Sequence, residues 1–283
     1  MIDLHSHTTA SDGEHSPEAL LALARAAGVS VLAVTDHDTV AALERAGAAA
    51  EAEGLGFVPG IEVSATAAGR EVHVLGHFVD AKESGLARYS DRLRGERVVR
   101  MGRMVQRMGE LGFPVTLSEV EAIGGGAHLG RPHLALALLN RGYVSSTKEA
   151  FDRFLADGRP GHVDRFRVSA EEAVQMLHAA GGTATLAHPG PSKVTQPTLA
   201  TLARAGLDGL EVFHADHVPS QREAFLRTAD ALGLIPTGGS DYHGARVSPG
   251  RKPGGSTTPP EAFARLKARA EAHARAAGRP HPL

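Results

Sequence analysis

Cysteine and tryptophan are absent from the 283 residues. Without thiols there can be no disulfide, no cysteine-ligated structural zinc and no thiol nucleophile, and such a composition suits a reducing compartment. Aromatic residues are scarce, with nine Phe and three Tyr. No apolar run is long enough to read as a membrane span. The N-terminus lacks the basic stretch followed by an apolar one that marks an export signal. Net charge is nearly absent too, since 30 Lys plus Arg against 32 Asp plus Glu leave −2, which excludes a general attraction to nucleic acid or anionic lipid. The expectation is a cytoplasmic protein with no membrane partner and no obligate protein partner evident.

Histidine is what the chain has in quantity, with 16 copies, and their placement carries the information. Apolar residues at 42% and charged residues at 22% are ordinary for a globular chain. The length suits a barrel of about 200 to 250 residues that carries an insertion.

The chain opens on a predicted strand, Ile2 to His7, in which Asp3, His5 and His7 alternate and so share one face. Two imidazoles and nearby carboxylates aimed at one spot are ligands for borderline divalent metals. Ser16 and Pro17 then start a helix that Gly28 stops. Val29 to Thr35 is an apolar run of buried-strand type, followed by Asp36, His37 and Asp38 and a helix from about Val40 to Glu53. Leu55 to Glu62 and Glu71 to Phe78 read as further strands, the second carrying His73 and His77. From 81 to 168 only helical patterns are found, which predicts a helical insertion domain between barrel segments 1–80 and 169–283. Alternation then resumes, with strands over Thr183 to Ala187, Leu207 to Phe213 and Ile235 to Gly239 and a closing helix over Glu261 to Ala277. Repeated strand-helix units predict a parallel sheet with right-handed crossovers and functional residues at the strands' C-terminal ends.

His5, His7, Asp12, His37, Glu62, His73, His188, Asp241 and His243 all fall at or just past a predicted strand end. Histidines that only satisfy a backbone group scatter over helix faces, as His178 and His273 do. His77 reads as structural. His214 and His217 follow a strand end, and Arg251 to Gly255 reads as a mobile loop near the ligand face. The arginine-rich helix from Leu86 to Leu111 reads as a solvated face over an apolar stripe of Val98, Met101, Val105, Met108 and Leu111.

Asp3-Leu4-His5-Ser6-His7, Thr35-Asp36-His37-Asp38, Gly60-Ile61-Glu62, Ala187-His188-Pro189 and Gly239-Ser240-Asp241-Tyr242-His243, in this order and spacing, resemble the motifs of the PHP (polymerase and histidinol phosphatase) metallophosphoesterases. The resemblance implies an α/β fold, a distorted (β/α)7 barrel of PHP type with a helical insertion domain, binding two or three divalent ions. It places His5, His7, Glu62 and Asp241 around one ion, Asp12, His37 and His243 around a second, and Glu62, His73 and His188 around a third. Many members have histidine where Asp12 stands. Imidazole-rich sets favour manganese, zinc or iron over magnesium. Asp3, Asp36 and Asp38 are expected to orient ligand imidazoles through the second ring nitrogen.

The insertion, with Gly130-Arg131-Pro132-His133 and Gly158-Arg159-Pro160-Gly161, is similar to the branch that acts on nucleoside 3′,5′-bisphosphates and trims short 5′-phosphorylated RNA. This implies a phosphoesterase that removes the 3′-phosphate by attack of a metal-bound hydroxide. Asp12, His37, Glu62 and Asp241 form the implied catalytic set, and His217 is the candidate proton donor to the leaving group. Arg131, His133, Arg159 and His217 are the implied substrate contacts, since arginine matches phosphate bidentately. Three divalent ions against three carboxylates would leave the site cationic, which suits a phosphate monoester better than an uncharged amide. The competing readings are a histidinol-phosphate phosphatase, an enzyme acting chiefly on RNA, and a non-catalytic, metal-stabilised binding module.

Overall fold

The computed structural model of the chain describes residues 1–124 and 130–279. It divides into two compact units, one of Met1–Ser90 with Arg167–Leu283 and one of Asp91–Phe166. The first is built on a nearly closed barrel-shaped sheet. Its strands are β1 Ile2–Asp3, β2 Val31–Val34, β3 Gly56–Ala67, β4 Arg70–His77, β5 Val168–Ser169, β6 Thr183–Leu186, β7 Gly209–Phe213 and β8 Ile235–Gly238. The spatial order is β1-β2-β3-β4-β6-β7-β8, with β5 paired to the far end of β3. Around the sheet run α1 Pro17–Ala26, α2 Leu43–Glu53, the first residues of α3 Ser84–Glu110, then α7 Ala170–Ala179, α8 Gln196–Arg204, α9 Pro219–Leu232 and α10 Pro260–Ala276. The second unit holds the rest of α3 with α4 Leu117–Gly124, α5 Arg131–Asn140 and α6 Thr147–Ala150, the last continuing into one wide turn over Phe151–Leu155.

Local chemistry sets these limits. Ser16 Oγ accepts the Ala19 N–H at the start of α1, and Pro17, which has no N–H to lose, takes the first helical position. The Leu20, Leu21 and Ala24 side chains lie on one face of that helix and are fully buried. Ser169 and Glu172 close a reciprocal capping box at α7. The barrel's packing joins Leu4, Ala33, Val58, Phe78 and Ile235 to Leu266 and Ala270 of α10.

Three expectations need correction. The opening strand keeps only Ile2–Asp3 in the ladder. Beyond it the Ser6 N–H goes to the Thr35 hydroxyl and Ser6 Oγ donates to the Ala33 carbonyl, so the segment stays close to β2 without regular pairing. A parallel bridge from Ser6 to Tyr242 then brings the two ends of the sheet together. Second, the sheet is not all parallel, because β3 and β4 form a hairpin and β4 is also antiparallel to β6. A two-residue connection, Ala68-Gly69, forces the hairpin, and both residues take positive φ as the tight turn requires. Third, Val98 and Leu111 of the apolar stripe are 40% exposed, while Met101, Met104 and Met108 form the buried row against Leu134, Leu138 and Leu155. The arginines of α3 are not simply solvated, since Arg100 and Arg107 donate to the Val163 and His162 carbonyls and Arg92 covers the Phe166 ring. The run Gly124-Gly125-Gly126 reads from the sequence as a flexible loop; Gly124 ends α4, and Gly125 and Gly126 lie outside the described residues. No helix among the described residues is long and apolar enough to cross a membrane.

Gly239 marks where the last strand meets the first. A side chain there would collide with the Cβ and backbone N of His5. Gly239→Ala is therefore expected to lower stability by about 1–3 kcal/mol through overpacking. Urea unfolding reads this directly, and an unchanged midpoint would contradict the close approach.

Candidate metal centre

Six strands deliver polar residues to one place. His5 and His7 extend β1, His37 follows β2, Glu62 lies in β3, His73 lies in β4, His188 follows β6, and Asp241 and His243 follow β8. Bridges from His37 to Glu62 and from Ser6 to Tyr242 set the spacing between these segments. His5, His7 and Glu62 have essentially no solvent exposure.

The tightest group is His5, His7, Glu62 and Asp241. His5 Nε2 lies 3.1 Å from His7 Nε2, 3.1 Å from Glu62 Oε2 and 3.4 Å from Asp241 Oδ1. His7 Nε2 lies 3.1 Å from Glu62 Oε2 and 3.3 Å from Asp241 Oδ1. Four ligands about 2.0–2.1 Å from a central zinc-like ion define a tetrahedron with edges of about 3.3–3.4 Å, so the atoms already fit such an ion closely. A second group is His7, Asp12, His37 and His243, with His243 Nε2 3.3 Å and His37 Nε2 3.9 Å from the half-exposed Asp12 carboxylate. A third joins His37, Glu62 and His73, with His188 Nε2 also 3.0 Å from Glu62 Oε1. Glu62 thus faces two ways, Oε2 toward His5, His7 and His37 and Oε1 toward His73 and His188. The buried His37 Nδ1, 3.3 Å from Glu62 Oε2, has no hydrogen-bond partner, as expected of a nitrogen whose natural partner is a cation.

Electrostatics in the absence of an ion point the same way. Burial disfavours the Glu62 carboxylate, yet the His37, His5 and His73 imidazoles hold it well below the usual carboxylate range. Burial likewise opposes charge on His7 and His73, but Asp241 and Glu62 raise the first to about 9, and Glu62 raises the second to about 10. Burial leads at His37 and lowers it to about 4. Bare carboxylates therefore keep protons on imidazoles that must be neutral to ligate a metal.

The ring of His5 is turned by a residue that the sequence motifs do not contain. Glu211 of β7 is buried, its Oε1 lies 2.9 Å from His5 Nδ1, and its Oε2 accepts the His188 N–H at 2.8 Å. Burial opposes its charge, but His5 beside it brings it down to about 2. A glutamate inside the apolar run Leu210-Glu211-Val212-Phe213 is the signal that could have found it.

Asp3, Asp36 and Asp38 do not orient imidazoles as expected. Asp3 accepts the His5, Ser240 and Gly254 N–H groups, Asp36 accepts Thr8 and Ser11 donors, and Asp38 accepts the Ser64 N–H and the Tyr89 hydroxyl. They fix the backbone that carries the ligands. His77 is structural, buried with Nε2 2.9 Å from the Leu4 carbonyl, and burial lowers it to about 4. His217 must be corrected as proton donor, because Nε2 accepts the Gly190 N–H and Nδ1 lies 2.9 Å from the Val212 carbonyl. Both ring nitrogens are spent on backbone, and burial lowers its pKa. His214 stands nearer the cage, Nε2 3.3 Å from Asp241 Oδ2. The loop at 251–255 is tied down rather than mobile, by Arg251 on Asp241 and by the Gly254 N–H on Asp3.

His178 and His273 meet Asp208 away from this cage. Asp208 also receives the Ala184 N–H and Arg269, so four donors satisfy it and a guanidinium occupies the place a cation would need. In the second unit, Arg131 pairs with Asp157 and reaches the Leu155 carbonyl, His133 Nδ1 accepts the Gly130 N–H, and Arg159 is exposed.

A barrel with an imidazole-carboxylate cage at its strand ends defines a metal-dependent hydrolase. Residues 3–173 match the family model of the PHP domain, and the chain belongs to that family. Among curated relatives it is 34% identical over 248 residues to a 5′-3′ exoribonuclease of Haemophilus influenzae, covering 85% of this chain and 89% of that one. It is 33% identical over 254 residues to a 3′,5′-nucleoside bisphosphate phosphatase of Chromobacterium violaceum, covering 86% and 87%. It is 36% identical over 246 residues to a phosphoribosyl 1,2-cyclic phosphate 1,2-diphosphodiesterase of Eggerthella lenta, covering 86% and 94%. A solved structure from Bifidobacterium adolescentis, described as a candidate metal-dependent phosphoesterase, superposes with a TM-score of 0.77 at 32% identity, covering 94% and 95%. The expected fold class and the expected enzyme class, a hydrolase of phosphate esters, both stand on these matches.

Two outcomes follow from the geometry. Loading the protein with zinc or manganese at pH 7 is expected to release protons, because His7 and His73 titrate near 9 and 10 without a cation. The stability that these charged imidazoles lend to the ion-free fold is complete below about 6.5 and is lost as pH rises through about 9 to 10. Titration in weak buffer with a pH indicator checks the release, and uptake without protons contradicts it. Glu211→Gln is expected to cost about 10- to 100-fold in metal affinity, measured by competition with a chromogenic chelator.

Proposed function

We infer that the chain removes the 3′-phosphate of nucleoside 3′,5′-bisphosphates and also trims short 5′-phosphorylated RNA. The observation that carries the reading is the two-faced Glu62 carboxylate, with imidazoles on both oxygens, which suits closely spaced cations rather than one. His5, His7, Glu62 and Asp241 are assigned to one ion, Asp12, His37 and His243 to a second, and Glu62, His73 and His188 to a third. Two or three ions are expected, with manganese, zinc or iron ahead of magnesium because imidazole dominates the ligand set. Such ions would bring the pKa of water near neutrality and offset the charge of a phosphoryl group.

The protein's own part is placement. Glu211 holds His5 from behind, so its Nε2 faces the cage. Asp36 ties the loop after β1 to the residues before His37, and Asp3 ties β1 to the loop after β8. Arg131 and Arg159 are assigned to the phosphate that is not hydrolysed, Arg131 exchanging the exposed Asp157 for it. His133 stays with them as a substrate contact. A histidinol-phosphate phosphatase, whose substrate has one phosphate, needs no clamp for a second, and a silent binding module would need coordination closed by protein, whereas Asp12 is half open to solvent. The identity to a cyclic phosphodiesterase favours one second reading, in which the same cage opens a cyclic phosphate.

A phosphate-release panel separates these readings, comparing 3′,5′-bisphosphates, mononucleotides, histidinol phosphate, cyclic phosphates and short 5′-phosphorylated RNA. The bisphosphate is expected to react fastest. Asp241→Asn and His5→Ala are each expected to reduce release by at least about 100-fold, and activity within a few-fold of the parent would remove them from the site. Arg131→Ala is expected to raise KM for the bisphosphate by about 10-fold or more, as loss of a charged hydrogen bond does, with mononucleotides little affected. An equal loss on both would refute the assignment.

A further inference from the structure

Arg251 follows β8 on the loop that returns to Asp241 and Asp3. Its Nη1 donates to the Asp241 carbonyl at 3.0 Å and to Asp241 Oδ2, while Nη2 donates to Asp216 Oδ2 at 2.7 Å. The two carboxylates differ in standing. Asp241 is nearly buried and divides its oxygens, Oδ1 facing His5, His7 and His243 at 3.3–3.4 Å and Oδ2 facing His214 and Arg251. Asp216 is half exposed and belongs to none of the ligand groups.

A guanidinium stays cationic across the working pH range of proteins. Nη1 is committed to a cage residue through both side chain and backbone. Nη2 holds a partner that water already reaches, and such pairs are weak. A guanidinium receives a phosphate through the same planar donor pair that it offers a carboxylate. An oxyanion arriving at Asp241 therefore meets a fixed cation whose Nη2 is held by the half-exposed Asp216 carboxylate.

We propose that Arg251 binds the phosphate undergoing hydrolysis and that Asp216 is its placeholder. Nη1 stays on Asp241, and Nη2 exchanges the Asp216 carboxylate for a phosphate oxygen. No covalent bond changes in this step. The proposal rests on the reading of the cage as a phosphoester site, and it adds a barrel residue to the recognition assigned above to Arg131 and Arg159.

The probe is inorganic phosphate, titrated calorimetrically onto the metal-loaded full-length protein, with metal content measured on every sample. Arg251→Met is expected to weaken phosphate binding by at least about 10-fold, with Arg251→Lys recovering part of the loss. Because Arg251→Met could also disturb Asp241, the deciding variant is Asp216→Asn. It removes the competitor and one negative charge, so phosphate is expected to bind about 3-fold or more tightly at unchanged metal content. Phosphate binding that is unchanged or weaker in Asp216→Asn overturns the proposal. So does a loss in Arg251→Met that only tracks lost metal. Failure to hydrolyse any bisphosphate, with the phosphate titrations behaving as expected, would instead overturn the substrate reading and leave Arg251 in place.

Discussion

One buried carboxylate organises the barrel's polar end. Glu62 has no solvent exposure and stands within 3.3 Å of ring nitrogens from His5, His7, His37, His73 and His188. An anion in that position is tolerable only when cations surround it. Protons on the imidazoles serve when nothing else is present, and divalent ions serve better, because they neutralise Glu62 without leaving charged imidazoles packed together. The His7 and His243 rings stack at 3.9 Å, and the tilted His37 ring lies 4.6 Å from His7, a crowding that charged rings resist and metal-bound neutral rings accept.

Holding that arrangement takes strain and a layer of carboxylates behind it. Asp38, His188 and Asp241 have positive φ, which costs of order 1–3 kcal/mol each for non-glycine residues and persists only where the surroundings impose it. The impositions are visible. Asp38 is held by Ser64, Tyr89 and Ser90, the His188 N–H by Glu211, and Asp241 by the His5 carbonyl and Arg251. Asp3 links the first strand to Ser240 and Gly254 from the last part of the chain. The first and last strands of the barrel thereby meet at Gly239 against His5.

What could be read from the residues depended on whether the signal was local. The positions of His37, Asp241 and His243 were legible because each follows a short apolar run that ends abruptly in polar residues. The helices between residues 84 and 150 were legible because helical periodicity replaces strand patterning there. The β3–β4 hairpin was not, since Ala68-Gly69 lacks the Asn-Gly or Asp-Gly pair that marks such turns. Its antiparallel pairing places Ser64 opposite His73, and so brings His73 beside Glu62. Asp3, Asp36 and Asp38 were misjudged because adjacency to histidine in sequence says nothing about which distant N–H groups fold back onto a carboxylate. Glu211 was hidden by the opposite problem, a charged residue within a buried strand whose partner, His5, is at the other end of the chain.

The central claim is that Glu62 is shared between ions rather than belonging to one. Elemental analysis of metal per chain in Glu62→Gln, set beside the parent protein and checked for a native circular-dichroism spectrum, tests it most directly. The parent is expected to carry two or three equivalents and the variant to lose more than one of them together. Loss of a single equivalent, or none, with the fold intact would contradict a shared carboxylate.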